Sequence, residues 1–431
     1  ERVMPQKSPG FILKNVKDSS GDQVELAWQD QRFVDQKEIT ENFEILDGNG
    51  LTVIPGLVDL HTHLREPGGE DAETVLTGSQ SAVAGGYTAI SAMPNTEPAA
   101  DTAGVVEQVF RLGQMHGLCD VFPIGAVTEN RAGKKLAELA AMNTSAANVR
   151  IFSDDGSCIS DALVMRRALE YVKSFNGIIA QHAQDPRLTE GAEVNEGVIS
   201  STLGLKGWPA VAEEAIIARD VLLAEHVNSR LHICHISTAG SVEIVRWAKS
   251  RGISVTAEVT PHHLLLEDEL TRSYDPIFKV NPPLRNKRDV QALREGVVDG
   301  TIDIIATDHA PHPSERKECE WSAASFGMVG LETAMSVSFL ALVQSGLITL
   351  PSLIEKMSSN PANIAGYLGH GYLEVGALAN FALIDLSKEW KVEKTALKSK
   401  SKNTPFQGMK LPVSVKKTYF KGREVFGSDA R

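Results

Sequence analysis

Several histidines and aspartates of this sequence are placed as the ligands of a metal ion would be. His61 and His63 are two residues apart, so on a strand both side chains would lie on one face and could bind one ion. The other residues of these types that end short apolar runs are Asp154, Asp155, His182, His235 and Asp308. Imidazole and carboxylate ligands suit Zn²⁺ best, although Co²⁺, Mn²⁺ or Ni²⁺ would also fit. There are more ligands than one tetrahedral zinc ion needs, which predicts two ions or one ion with spare ligands.

The elements that must position these residues are eight short apolar runs, as expected of strands buried on both faces. They are LVDLH (57–61), YTAISAM (87–93), DVFPIGA (120–126), VRIFS (149–153), IIAQH (178–182), LHICH (231–235), ISVTAEV (253–259) and IDIIATD (302–308). Helical patterns separate them, for example VAEEAIIARDVLLAEHV at 211–227. This alternation predicts an α/β fold, a (β/α)8 barrel of the TIM type. A doubly wound open sheet is the alternative, but no GxGxxG motif follows a strand.

The position of the candidate ligands relative to these strands favours a metal site over a set of unrelated structural residues. In a β/α barrel the carboxyl ends of all strands meet at one mouth, where active sites form. A single histidine at a strand end is more often a hydrogen-bonded structural residue. Histidines and aspartates at the same end of five different strands are hard to explain by packing, because buried carboxylates are costly without cations.

The two ends of the chain have a different pattern from the middle. Short alternating runs with Gly and Asn turns occupy residues 9–55, and similar runs follow Gly371. We predict that residues 1–55 and 371–431 form one composite β-sandwich domain. The metal-dependent catalytic barrel is expected at residues 56–370, inserted between them.

Composition excludes several other classes of protein. The chain of 431 residues has a net charge of −12 and no basic stripe, which argues against nucleic acid as a partner. No apolar run reaches the ~18 residues of a membrane span, and no signal-like segment stands at the start. The four cysteines are widely spaced without a CxxC motif, which is typical of reduced thiols in a cytoplasmic protein.

Several motifs of the sequence together resemble one enzyme family. GLVDLHTHLREPGGED, MPNTEP, HICHIS, VTPHHL, NPPLR and ATDHAPH are similar to the bacterial type I form of dihydroorotase, within the amidohydrolase superfamily. The resemblance extends from Pro9 to Phe426. It implies a zinc-dependent cyclic amide hydrolase that interconverts (S)-dihydroorotate and N-carbamoyl-L-aspartate in de novo pyrimidine (UMP) biosynthesis.

The resemblance also implies residue roles. His61 and His63 bind the more buried metal together with Asp308, and His182 and His235 bind the second metal. Asp308 is also the catalytic general acid/base, acting beside a metal-bound hydroxide. The implied substrate-binding residues are His63, Arg65, Asn95, Asn281, His312, Phe326 and Gly327. Of these, Arg65, Asn95 and His312 would hold the substrate's α-carboxylate, since the planar guanidinium matches a carboxylate.

The fourth predicted strand departs from the pattern of many superfamily members, which carry a metal-bridging carboxylated lysine there. This chain has SDDG in that place, and strand alternation puts Asp154 and Asp155 on opposite faces without deciding between them. The resemblance implies that Asp155, directly before Gly156, is the ligand. An aspartate is shorter than a modified lysine, so one or two Zn²⁺ ions per chain remain as alternatives.

Two other functions remain as alternatives to this interpretation. One is another cyclic amidohydrolase, an allantoinase or dihydropyrimidinase, although a neutral substrate gives Arg65 no carboxylate to bind. The other is a non-catalytic scaffold for aspartate transcarbamoylase, which would be expected to lose metal ligands. The resemblance allows two protein partners, a second copy of the chain in a homodimer and aspartate transcarbamoylase. Residues 313–325 are expected to form a lid or a long loop.

Overall fold

Eight parallel strands form a closed barrel in the computed structural model, which describes residues 8–39 and 42–427. The barrel strands are Leu57–Thr62, Tyr87–Ala92, Asp120–Pro123, Ile151–Phe152, Ile178–Gln181, Arg230–Ile233, Val255–Val259 and Ile304–Ile305. The first three pair in one sheet and the other five in a second sheet. Parallel bridges between Gly125 and Phe152 and between Thr62 and His309 join the two sheets. The predicted (β/α)8 barrel is therefore confirmed.

Helices connect the barrel strands and cover their outer face. The helices of the described residues are Val75–Ala84, Ala103–His116, Leu139–Thr144, Ala162–Lys173, Val198–Leu203, Val211–Val227, Ala239–Ser250, Pro261–Leu265, Lys287–Val298, Ser314–Lys317, Ala334–Ser338, Leu350–Met357 and Ser359–Ala365. The first begins after a capping box formed by Thr74 and Thr77 and ends at the Gly85–Gly86 pair, where Gly86 has a φ of 87°. None of these helices is long and apolar enough to cross a membrane.

Apolar side chains fill both faces of the barrel wall. Inside the barrel, Val58, Ile124 and Ile304 belong to a cluster that closes the end opposite the mouth. Outside, a much larger cluster packs the helices onto the strands. Because both faces are buried, the strands read as near-continuous apolar runs, and polar side chains are concentrated where the strands end.

Strands from both chain ends form one sheet of eight. They are Gly10–Lys17, Gln23–Gln29, Arg32–Phe33, Phe43–Asp47 and Thr52–Pro55 from the start, and Phe381–Asp385, Ser414–Phe420 and Arg423–Gly427 from the end. The antiparallel pairing of Thr52–Pro55 with Phe381–Asp385 joins the two sets. At the centre of this sheet's core Phe381 stacks on Tyr419, and Trp28 packs edge-on against both rings. The small β-domain formed by both ends is confirmed, while its sandwich form and its limits at 55 and 371 stay predictions.

Between the last strands of this sheet, the chain returns to the mouth of the barrel. Trp390–Lys391 and Lys410–Leu411 pair as short antiparallel strands. Val392 and Phe406 pack with Val280 and Met328 of the barrel loops. We call residues 397–407 the mouth segment, because they cross the loops that follow the first and last barrel strands.

Candidate active site

Six side chains of metal-ligand type meet at the mouth of the barrel: His61, His63, Asp155, His182, His235 and Asp308. Each is at most 6% exposed. Asp155 lies at the centre, with Oδ1 3.2 Å from His182 Nδ1 and 3.4 Å from His61 Nε2. Asp308 Oδ1 lies 3.0 Å from His63 Nε2 and 3.3 Å from His61 Nε2. Nitrogen and carboxylate oxygen atoms are thus gathered around common points, as ligands of a shared cation would be.

The backbone turns sharply where these side chains enter the cluster. Asp308 has a φ of 48°, His235 a φ of 27° and Arg65 a φ of 63°. Such values are uncommon for residues other than glycine and concentrate at functional sites. Each of these three residues lies at or shortly after the end of a barrel strand. The turn in the backbone ends the strand and directs the side chain towards the mouth.

The carboxylate of Glu258 orients the ring of His61 through a hydrogen bond. It lies on the strand Val255–Val259, is fully buried, and its Oε1 is 2.5 Å from His61 Nδ1. The same oxygen accepts a hydrogen bond from the backbone N–H of His235, at 3.1 Å. Oε2 is 2.9 Å from His232 Nε2. This contact fixes His61 with Nε2 towards the cluster, where that nitrogen has no hydrogen-bond partner among the described residues.

Neutral amides hold two other histidines of the cluster. The Oδ1 of Asn95 is 2.8 Å from His63 Nδ1, which leaves His63 Nε2 facing Asp308. The Oε1 of Gln184 is 2.7 Å from His182 Nε2, which leaves His182 Nδ1 facing Asp155. In both cases one ring nitrogen is committed to an amide and the other points to the cluster.

The two sequence neighbours of Asp308, Thr307 and His309, each take part in a hydrogen-bond network that supports it. Thr307 donates from its backbone N–H and its hydroxyl to the buried carboxylate of Asp59. His309 Nε2 is 3.0 Å from Glu73 Oε2, and its Nδ1 accepts from the backbone N–H of Gly330. His309 therefore supports the strand end that carries Asp308.

The charges at the mouth interact strongly. Although burial alone would raise the pKa of Asp155, the imidazoles of His61, His182 and His235 hold it well below the ordinary value. Burial likewise opposes ionisation of Asp308, but His61 and His63 lower its pKa. Both aspartates are therefore carboxylates at neutral pH, which suits them to bind a cation and, for Asp308, to accept a proton.

A cavity of about 370 Å³ opens directly onto the cluster, and its lining includes all seven residues expected to bind substrate. Arg65 is the cation of this cavity, and burial lowers its pKa to about 10. Its Nε donates to the carbonyl oxygen of Pro311, and among the described residues it forms no ion pair. Asn281 donates to Gln184, while its buried Oδ1 has no partner in the described chain. A guanidinium and an amide oxygen are thus available to a ligand.

His312 and Phe326 form one wall of this cavity. His312 Nε2 is 2.8 Å from the carbonyl oxygen of Phe326, so this nitrogen carries the hydrogen and is not free for a ligand. Burial and the charge of Arg65 lower the pKa of His312 to about 3, which keeps its ring neutral. A larger cavity of about 870 Å³ lies on the other side of His312, but none of the six metal-ligand side chains lines it.

Residues 313–325 are an ordered stretch that contains the helix Ser314–Lys317. Lys317 Nζ donates to the carbonyl oxygens of Lys279 and Ser325, and Lys279 Nζ donates to that of Trp321. These two lysines tie the stretch to the segment that carries Asn281. Whether the stretch acts as a lid stays a prediction.

Three further side chains near the ends of barrel strands, Asp154, His262 and His263, are not members of the ligand cluster. Asp154 accepts from the backbone N–H groups of Val127 and Thr128, so it fixes the loop after the third strand rather than its own turn. His263 is hydrogen-bonded to Thr260 and to the carbonyl oxygen of Pro282, and supports the Asn281 segment. The Nε2 of His262 is buried without a partner in the described chain.

Sequence reasoning missed Glu258, Gln184 and Asn403. Glu258 left a signal, since a glutamate inside the apolar run ISVTAEV must be paired if the strand is buried. The sequence likewise gives no indication that His232 is linked to the cluster through Glu258. Gln184 and Asn403 left no comparable signal.

The chain is similar to known proteins over most of its length. The family model described as "Dihydro-orotase-like" matches residues 50–241. A dihydroorotase of Streptomyces coelicolor is 64% identical over 384 residues, which cover 89% of this chain and 90% of that protein. One of Mycobacterium tuberculosis is 52% identical over 89% of this chain and 90% of its own length. Among solved structures, an L-hydantoinase (dihydropyrimidinase) of Arthrobacter aurescens matches with a TM-score of 0.85 at 25% identity, over 97% of this chain and 96% of that one.

Proposed function

The chain belongs to the dihydroorotase family, and we propose how its active site carries out that family's reaction. It is a metal-dependent cyclic amide hydrolase that interconverts dihydroorotate and carbamoyl-aspartate in pyrimidine biosynthesis. The identity of the metal, the role of each residue and the assembly state are our proposals.

We assign the metal to the six-residue cluster and take it to be Zn²⁺, one or two ions per chain. His61, His63 and Asp308 would hold the more buried ion, His182 and His235 the second, and Asp155 lies between the two sets. The fit rests on the donor chemistry and on the His61 Nε2 atom, which is buried and turned towards two carboxylates without a hydrogen-bond partner among the described residues. Bound there, a zinc ion would acidify a water molecule and polarise the substrate amide.

Asp308 is the proposed general acid/base. It is a carboxylate at neutral pH and lines the cavity, so it can accept a proton from the attacking water. As the ring opens, the carbon–nitrogen bond breaks and Asp308 returns this proton to the leaving nitrogen. Cyclisation of carbamoyl-aspartate runs through the same positions in reverse, with loss of water.

The proposal that the substrate is an anion rests on Arg65. A half-buried guanidinium that lines the cavity and forms no ion pair in the described chain requires a ligand to supply its counter-charge. The carboxylate of dihydroorotate meets this requirement, whereas dihydrouracil and hydantoin have none. We assign the ring or ureido group to Asn281 and to the backbone at Phe326 and Gly327. Asn95 holds His63, and its Nδ2 remains for the substrate.

His312 receives a narrower role than the resemblance implies. With Nε2 donating to Phe326 and the ring kept neutral, His312 offers no charge to a carboxylate. We therefore assign the carboxylate mainly to Arg65, and His312 to the shape of the cavity wall.

The function is tested with metal-reconstituted protein and three substrates. We expect interconversion of dihydroorotate and carbamoyl-aspartate, and little or no opening of dihydrouracil or allantoin. Turnover of dihydrouracil in preference to dihydroorotate would contradict the role of Arg65. Absence of turnover with a full metal complement would favour the scaffold alternative.

The cellular location and the assembly of the protein are also proposals. We place the enzyme in the cytoplasm, since all four cysteines are free thiols, as in a reducing compartment. We propose a homodimer and an association with aspartate transcarbamoylase, both suggested by the family. Sedimentation of the protein alone and mixed with that transcarbamoylase tests both.

A further inference from the structure

The mouth segment is bound to the barrel loops by a series of specific hydrogen bonds. The hydroxyl of Ser399 and the backbone N–H of Lys400 donate to the carboxylate of Glu73. The hydroxyl of Ser401 donates to the carbonyl oxygen of Ala72. These contacts fix the segment on the loop after the first strand, directly beside the substrate cavity.

Asn403 is the residue of this segment that reaches the cavity wall. Its Oδ1 accepts from the backbone N–H of His312 at 3.1 Å. Its Nδ2 donates to the carbonyl oxygens of Ala310 at 3.0 Å and Gly327 at 3.2 Å. Its own carbonyl oxygen accepts from the N–H of Val329. Asn403 is 5% exposed, so these bonds are shielded from water.

Asn403 joins residues 310–312 to the 326–327 backbone, and these two stretches are closely packed. A Cβ atom on Gly327 would stand 2.8 Å from His312 Nε2 and 2.9 Å from the Cβ of Ala310. Gly327 also has a φ of 145°, which other residues rarely adopt. The separation of His312 from the 326–327 backbone is therefore set by close packing together with the Asn403 side chain.

We infer that Asn403 is a positioning residue for substrate binding, which holds His312 and the Phe326–Gly327 backbone at the spacing the substrate requires. Asn403 lies outside the barrel, in the mouth segment, which comes after the barrel in the sequence. The inference rests on the proposed roles of His312, Phe326 and Gly327. It does not involve the metal ligands, none of which Asn403 contacts through a hydrogen bond in the described chain.

Two variants separate positioning from simple filling of space. Asn403→Ala removes three side-chain hydrogen bonds, and we expect KM for dihydroorotate to rise about 10- to 100-fold with kcat changed far less. Asn403→Asp keeps the size and the acceptor for His312, but sets a carboxylate oxygen against the carbonyl oxygens of Ala310 and Gly327. We therefore expect it to bind substrate at least as weakly as the alanine variant, with unchanged metal content in both.

Asn380→Ala is the matched control. Asn380 is also a buried asparagine whose side chain binds backbone groups, those of Gly369 and Lys421, but it lies directly before the strand Phe381–Asp385 of the terminal sheet. We expect it to lower the melting temperature and to leave KM within about twofold of wild type.

The inference would be overturned by an Asn403→Asp variant with wild-type KM, or by loss of kcat or metal at unchanged KM. If the alanine variant does not fold, the aspartate variant alone decides. Wild-type turnover of dihydroorotate is measured in the same series. Failure there refutes the proposed function, whereas failure confined to the variants refutes only the role of Asn403.

Discussion

Replacing Glu258 by glutamine should weaken metal binding without changing the shape of the site. Oε1 of Glu258 accepts from two donors, His61 Nδ1–H and the backbone N–H of His235, so a glutamine must place its carbonyl oxygen there. Its NH₂ group then faces His232 Nε2. His232 can accept that bond by carrying its hydrogen on Nδ1, which is 2.7 Å from the hydroxyl of Thr256. The substitution therefore removes the negative charge and little else.

The size of the effect follows from the contact between Glu258 and His61. Burial opposes the charge of Glu258, but His61 and His232 lower its pKa to about 2, so it is ionised at neutral pH. A charge-assisted hydrogen bond contributes about 1.5–3 kcal/mol and a neutral one about 0.5–1.5 kcal/mol. Loss of the difference, about 1–2 kcal/mol, corresponds to about 5- to 30-fold in metal affinity. This agrees with the range found when a partner of a metal-binding histidine is removed.

Metal affinity is measured by titrating the metal-free protein with Zn²⁺ in competition with a chelator. Metal content per chain after gel filtration gives a second readout, and urea unfolding of the metal-free forms reports on stability. Glu213→Gln is the control, because Glu213 is also a buried glutamate but binds Ser237 and Ser241 rather than a histidine of the cluster. We expect Glu213→Gln to change stability and not zinc affinity.

The reasoning would be refuted if Glu258→Gln bound zinc within about twofold of wild type while remaining folded. It would also be refuted if both glutamine variants lost the same affinity, since the effect would then come from general loosening of the barrel. A loss confined to Glu258→Gln supports orientation and polarisation of His61 by this carboxylate.

Three further predictions concern Arg65, Asp308 and Lys317. Arg65→Met should lower kcat/KM for dihydroorotate about 100-fold or more, because a charge-assisted contact to the carboxylate is lost; an equal fall for dihydrouracil would contradict this. Asp308→Asn should abolish turnover while some metal still binds, measured by assay and metal analysis; undiminished turnover would exclude its acid/base role. Burial lowers the pKa of Lys317 to about 7, so above pH 7 the unfolded chain binds more protons than the folded one. Stability in urea should therefore rise from pH 7 to pH 9, and Lys317→Met should flatten that rise.

The mouth end of the barrel could be predicted from the sequence because five of the eight buried runs stop at a polar residue. The run IDIIATD predicted a strand over 302–308, but the structure has only Ile304–Ile305. The chain leaves strand geometry before Asp308, whose φ of 48° turns the carboxylate inward. Such a local turn has no signature in residue types, so the predicted run contains the strand but extends three residues beyond its observed end at Ile305.

Strand phase is the second feature that the sequence could not settle. Alternation separated Asp154 from Asp155 without deciding which faced the mouth. In the structure, Asp154 is held by the N–H groups of Val127 and Thr128 on the neighbouring loop, and this leaves Asp155 towards His61. The deciding contacts span more than twenty residues and depend on the assembled barrel.

Asn403 and Gln184 could not be found from the sequence for a related reason. Their importance lies in which backbone or ring atoms they meet, and Asn403 is 91 residues from His312 in the chain. A polar residue in a Lys- and Ser-rich stretch is ordinarily interpreted as solvated surface. Only the return of the mouth segment to the barrel brings this asparagine against the backbone of residues that line the cavity.

The charges of the mouth explain why metal and substrate must be considered together. Among the charged groups that line the cavity or contact the ring of a cluster histidine, Asp155, Asp308 and Glu258 contribute three negative charges and Arg65 contributes one positive charge. One divalent cation balances this set, because its two charges complete the neutralisation. A second divalent cation would leave an excess of two positive charges, which a substrate carboxylate and a hydroxide together would balance. On the proposed assignments, an anionic substrate therefore favours the more highly charged state of the site, whereas a neutral cyclic amide does not. The positive charge of Arg65 would oppose the second cation until the substrate carboxylate offsets it.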